Sequence, residues 1–184
     1  MKTLGKITQN IVSFLLLALI WNLECREMSG PSMNLVKKIE KCDSTEGHTI
    51  KFENYRFNRY NRTVYTYNGN MEIQTELRDD DTEINLIVER WGNGGWKRTL
   101  QKRIGHMCSS LEKFAPNYFK TVLKQENVTG CPIPAGHYEF KDLVMNVDVA
   151  IPIPYGLYRS QVDLIKNGTI IFCIIFTLDV VPLD

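Results

Sequence analysis

Histidine is scarce in this chain of 184 residues, and its three copies, His48, His106 and His137, are scattered. Their spacing fits no metal-ligand set and no nucleophile–base pattern. The chain also lacks a Gly-x-Ser-x-Gly elbow, a phosphate-binding glycine loop and a His-Glu-x-x-His stretch. No two cysteines stand as Cys-x-x-Cys, which withdraws the usual support for a zinc or thiol-redox motif. Asp79-Asp80-Asp81 lacks the central glycine and the later glutamate of a calcium loop, and reads as a solvated turn. Glu72 and Glu76 share one side of a predicted strand but lie about 13 Å apart along it, too far for a glycosidase pair. The formal net charge is only +1, so the basic excess that a nucleic-acid partner demands is missing. Catalysis, cofactor and metal chemistry have no residue constellation behind them.

Long apolar runs are equally few. Lys2 and Lys6 precede the run Ile11 to Trp21, the pattern of a secretory leader. That run is shorter than the roughly 18–20 apolar residues that a membrane span needs. The stretch from Ile170 to Val181 is also too short and contains Thr177 and Asp179. We therefore expect residues 1–25 to be a signal peptide, 26–41 a loose Gly/Pro-punctuated lead-in, and 42–184 one secreted domain. Loss of Lys2, Lys6 and Glu24 with the leader leaves a formally neutral chain.

Cys25 would leave with that leader, and Cys42, Cys108, Cys131 and Cys173 remain. An even set in a secreted chain implies two disulfides, with three pairings open. Spacing favours a short loop, Cys108 with Cys131, and a long one, Cys42 with Cys173. Three Asn-x-Thr acceptors, at Asn61, Asn127 and Asn167, are expected on the surface of a secreted glycoprotein.

From Thr49 onward the dominant period is two. Ile50, Phe52 and Tyr55 alternate, then Thr63 to Leu77, and then Ile84, Leu86 and Val88 beyond the polar turn at Arg78 to Asp81. Trp91-Gly92-Asn93-Gly94-Gly95-Trp96 reads as a hairpin tip between two tryptophans, with a further strand from Trp96 to Ile104. Lys97, Arg98, Lys102 and Arg103 make that strand a basic edge. Helical spacing occurs only between Cys108 and Cys131, where Leu111, Phe114, Tyr118 and Val122 recur at threes and fours. Pro116 divides that segment into two short helices, Met107 to Lys113 and Pro116 to Lys124. Three strands close the chain, about His137 to Val149, Tyr158 to Ile165 and Ile170 to Val180, the last two joined by Asn167-Gly168. Eight strands with one helical insert predict a mainly β fold, a two-sheet sandwich or open cup.

Two apolar features fall where polar residues belong. Ala150-Ile151-Pro152-Ile153-Pro154-Tyr155 occupies a strand connection, and connections run over the wet surface. It either seals one end of the sandwich or rims a pocket open to lipid. Trp91 and Trp96 either pack across the hairpin or stand at a membrane interface.

Cys131-Pro132 with Gly136-x-Tyr138, then Gly156-x-Tyr158-Arg159, then a turn and Cys173 followed by an alternating strand, resembles the C-terminal half of the ganglioside activator family. It is also similar to the insect CheB-like secreted chemosensory proteins, within the wider set of lipid-recognition β-cups. The resemblance covers roughly residues 42 to 182. It implies a two-sheet cup with an apolar cavity opening at loops that touch membrane, and a cysteine of the terminal strand joined to the first strand. It places Ile151, Ile153 and Tyr155 at the cavity mouth. The expected function is a secreted, non-enzymatic binding protein for a lipid or other apolar small molecule, such as a pheromone or cuticular hydrocarbon, with Ile151, Ile153, Tyr155, Trp91 and Trp96 as ligand-binding residues. A transient membrane contact and a receptor partner accompany that expectation. The alternative is an extracellular interaction module, accessory to a receptor, with a filled core.

Overall fold

The computed structural model describes residues 30–43, 46–61, 64–145 and 153–183; the expected leader lies outside them. In chain order the elements are β1 Ser32–Lys41, β2 Ile50–Arg59, β3 Tyr65–Ile73, β4 Thr82–Gly92, β5 Gly95–Ile104, α1 Met107–Phe114, α2 Pro116–Gln125, β6 Gly136–Val144, β7 Gly156–Lys166 and β8 Thr169–Pro182. The strands form two antiparallel sheets, one ordered β1-β8-β7-β4-β5 and the other β2-β3-β6. The mainly β, two-sheet architecture with a helical insert is therefore as expected. Both hairpins signalled by Asn-Gly have two consecutive residues at positive φ, 49° and 80° at Asn93-Gly94 and 51° and 80° at Asn167-Gly168. That is the twist-matched two-residue turn, and glycine takes its second position without a Cβ clash.

The stretch read as a loose lead-in requires correction. Ser32 to Lys41 is β1, paired along its length with β8 from Ser32↔Pro182 to Lys41↔Ile174, and Val36 is fully buried. A register shift between Val36 and Lys38 breaks the alternation. The inward residues Val36 and Ile39 are consequently three apart, which hides a strand from a period-two reading. The predicted strand over Thr63 to Leu77 also ends early, at Ile73. Leu77 instead makes an isolated bridge with Ile133, exchanging two backbone hydrogen bonds of 2.9 Å.

The helices occupy the ranges read from the sequence to within a residue. Pro116 begins α2, where its missing N–H has no helical partner to lose. His106 precedes α1 in the left-handed region without capping it through its side chain. Asp79, from the β3–β4 connection, takes that role: its carboxylate accepts the Ser109 backbone N–H at 3.0 Å and the Ser109 hydroxyl. The insert joins the free edge of one sheet, β5, to the free edge of the other, β6, and so closes one seam between the layers. Disulfides Cys108–Cys131 and Cys42–Cys173 hold the insert and the β1–β8 pair.

Met107, Thr82, Ile73, Leu77 and Ile50 are all at most 4% exposed.

Candidate functional site: an apolar interior between the sheets

β7 is flanked on both sides, by β8 and by β4, yet its inward residues Val162 and Leu164 are only half-buried. On β8 the same holds for Phe172, Phe176 and Leu178. Interior strands owe such exposure to empty space and not to a sheet edge. The space is a cavity of about 420 Å³, walled by both sheets and by α1 and α2. That volume lies within the range of small-molecule sites. Its walls are almost wholly aliphatic and aromatic: Leu86, Val88, Phe119, Phe140, Leu143 and Met145 stand with the residues just named.

Few polar groups reach it. Glu126, at the C-cap of α2, is the single carboxylate among the lining residues, and Ser160 contributes an aliphatic hydroxyl. Four tyrosines line the space, and three have their hydroxyls occupied by the protein. Tyr138 donates to the Pro134 carbonyl at 2.5 Å, Tyr158 to the Pro154 carbonyl at 2.8 Å, and Tyr118 to the Met145 Sδ at 3.7 Å. The fourth, Tyr67 Oη, is buried without a partner. Burial pushes the Tyr118 phenol up to about 12. It raises Tyr138, with Glu126 adding to the effect, and Tyr158, where Arg90 opposes it. The phenols therefore stay neutral at physiological pH, and the arrangement suits an apolar molecule.

The expected site residues divide. Ile153 lines the cavity. Ile151 lies outside the described residues. Tyr155 is not in the lining; its hydroxyl donates to the Pro31 carbonyl at 3.4 Å and its own carbonyl accepts from Arg90 Nη2 at 2.8 Å. Trp91 and Trp96 are not in the lining either. Ile84, Leu86 and Val88 point inward, so alternation turns Glu89 and Trp91 to the outer face of the sheet. There the two tryptophans meet edge to face at 5.2 Å, with the Arg159 guanidinium 5.0 Å from Trp96 and bound to Glu89. The two thus pack across the hairpin, and Trp91 remains 48% exposed. Asn61, Asn127 and Asn167 are all exposed. Cys42, Asp163 and Cys173 are the one cluster with metal-ligand atoms close together among the described residues, but both sulfurs are in the disulfide. The Asp163 carboxylate accepts from Asn85 at 2.8 Å and Gln161 at 2.9 Å.

A second, smaller recess of about 250 Å³ lies at the other seam, between the edge strands β1 and β2. Lys41, His48, Lys51, Glu53 and Tyr55 line it. Sequence reasoning missed it, because β1 itself was not recognised and its edge therefore had no place.

No curated protein matches the chain. Among solved structures, chicken MD-1 complexed with lipid IVa is similar at 14% identity and a TM-score of 0.38, over 81% of this chain and 96% of that one. A Niemann-Pick type C2 protein from Japanese carpenter ant is similar at 11% identity and a TM-score of 0.35, over 76% of this chain and 96% of that one. Residues 83–160, from β4 through the helices and β6 into β7, match the family described as a protein of unknown function, DUF1091.

Proposed function

We propose that the protein is a secreted, non-enzymatic carrier or receptor for a lipid or similar apolar small molecule. The observation that carries this reading is the half-exposed inner face of the central strands, Val162 and Leu164 above all, turned toward a 420 Å³ apolar space. Apolar surface left facing such a space is stabilised on ligand binding by about 25 cal/mol per Å² removed from water. Ile153 marks the mouth. The resemblance to the chemosensory group suggests an external cue as the ligand, and the exposed acceptors at Asn61, Asn127 and Asn167 suit a glycosylated extracellular protein.

The test is displacement of a fluorescent fatty acid from delipidated protein. Wild type should bind it saturably. Ile153→Asp should weaken binding with little change in melting temperature, because a residue at the mouth can keep its charge in water. A sharp loss of stability instead would mean that Ile153 seals a packed end, where a buried, unpaired carboxylate is costly. Absence of binding by the wild type would reject the carrier reading.

A further inference from the structure

The recess between β1 and β2 and the large interior share a wall. Ile39, Ile50, Phe52, Tyr67, Phe172 and Ile174 line both. The rings in this shared wall touch, with centroids 5.8 Å apart for Phe52 and Tyr67 and 5.4 Å for Phe52 and Phe172. The wall thus stands between an apolar chamber and a polar vestibule, where the edges of the two sheets part.

Tyr67 is the polar group in that wall. Its residue is 5% exposed, and its hydroxyl has no hydrogen-bond partner. Leaving a donor buried and unsatisfied costs about 1–3 kcal/mol, so native structures rarely do so without a reason. The position is built: a Cβ on Gly69 would lie 2.8 Å from Tyr67 Oη and 2.8 Å from the Tyr55 Cα, so only glycine leaves the phenol its place beside the vestibule. Burial, with Tyr118 and Tyr55 nearby, holds the phenol well above its ordinary range. It remains a donor and requires an acceptor. On the vestibule side the amines of Lys41 and Lys51 add further donors. Glu53 and Glu40 are the carboxylates there, and Glu40 is paired with Lys38 at 2.7 Å.

We propose that the ligand is amphipathic, a single long acyl chain carrying a small oxygen head group that accepts hydrogen bonds. The chain fills the interior, and the head stands at this shared wall, accepting from Tyr67 Oη and facing Lys41 and Lys51. This rests on the carrier reading and narrows it: a pure hydrocarbon would leave Tyr67 unsatisfied.

Tyr67→Phe tests it, by displacement of a fluorescent apolar probe with hexadecanoic acid, its methyl ester and hexadecane. The variant keeps the ring contacts and removes only the unpaired hydroxyl, so its thermal midpoint should hold or rise. The acid should bind about tenfold more weakly than to wild type, while hexadecane binds equally well to both. An equal loss for the methyl ester places a carbonyl oxygen at Tyr67, and a loss for the acid alone places an ionised carboxylate there. Unchanged acid affinity, or a parallel loss for acid and hexadecane, overturns the proposal while leaving the carrier reading intact. A lowered midpoint would show that the hydroxyl serves the fold, and overturns it too. Failure of every probe to bind wild type would instead reject the carrier reading beneath it.

Discussion

Val162 offers a test whose sign separates an empty interior from a packed one. It lies on β7 between two hydrogen-bonded neighbours, points between the sheets and is half-buried. Val162→Phe retains a side chain that strands favour and adds no polar atom. Exchanging an isopropyl group for a benzyl group adds about four carbons, and at about 0.8 kcal/mol per buried carbon the upper bound is about 3 kcal/mol of stabilisation. In a close-packed core the same insertion costs about 1–3 kcal/mol. For a domain of this size each kcal/mol moves the melting temperature by about 2–4 °C. Delipidated Val162→Phe should therefore melt at or above the wild-type temperature and bind a fatty acid probe at least about tenfold more weakly, because the phenyl ring occupies ligand volume. A melting temperature lowered by several degrees, with probe binding unchanged or absent in both proteins, would refute the reasoning and favour a filled sandwich that works through its surface.

Two further predictions follow from the covalent and electrostatic frame. The sequence separations of the disulfides are 131 for Cys42–Cys173 and 23 for Cys108–Cys131. Loop closure entropy then predicts that a Cys42→Ala/Cys173→Ala protein loses more, about 4–5 kcal/mol, than a Cys108→Ala/Cys131→Ala protein, at about 3 kcal/mol; urea unfolding without reductant measures both. Burial alone would raise the Asp79 carboxyl, but the Ser109 hydroxyl, the Ser109 and Cys108 N–H groups and His106 hold it below its ordinary range. Its contribution is thus complete above the unfolded value near 3.9 and is lost as pH falls through the lower folded value. Asp79→Ala should cost about 1 kcal/mol at pH 7, as loss of a helix cap does, and should flatten the stability profile below about pH 4.

The local signals were legible because each is written within a few residues. Pro116 and the spacing of Leu111, Phe114, Tyr118 and Val122 carried the helices, and Asn93-Gly94 and Asn167-Gly168 carried both tight hairpins. The register shift beside Lys37 concealed β1, and a second shift between Glu53 and Arg56, with Asn54 at φ 51°, interrupts β2 in the same way. Periodicity could not reveal the interior; only the family resemblance implied a cavity, and of the residues it placed at the mouth Ile153 lines one. Val162, Leu164 and Phe172 alternate inward whether or not the facing sheet touches them, since the separation of the layers is set far away in sequence. The wall at Tyr67 stands where two strand edges from different sheets part, and no local pattern announces that. Trp91 and Trp96 attracted attention by their chemistry, but strand alternation turns them away from the cavity.

The most direct measurement is native mass spectrometry of the protein purified from a eukaryotic secretory host, followed by lipid analysis of the released fraction. The account predicts a complex heavier than the glycosylated chain by the mass of one acyl lipid, lost on organic extraction and restored on adding a long-chain fatty acid. A protein that flies only as the bare glycosylated chain, before extraction and after exposure to fatty acid, would contradict it.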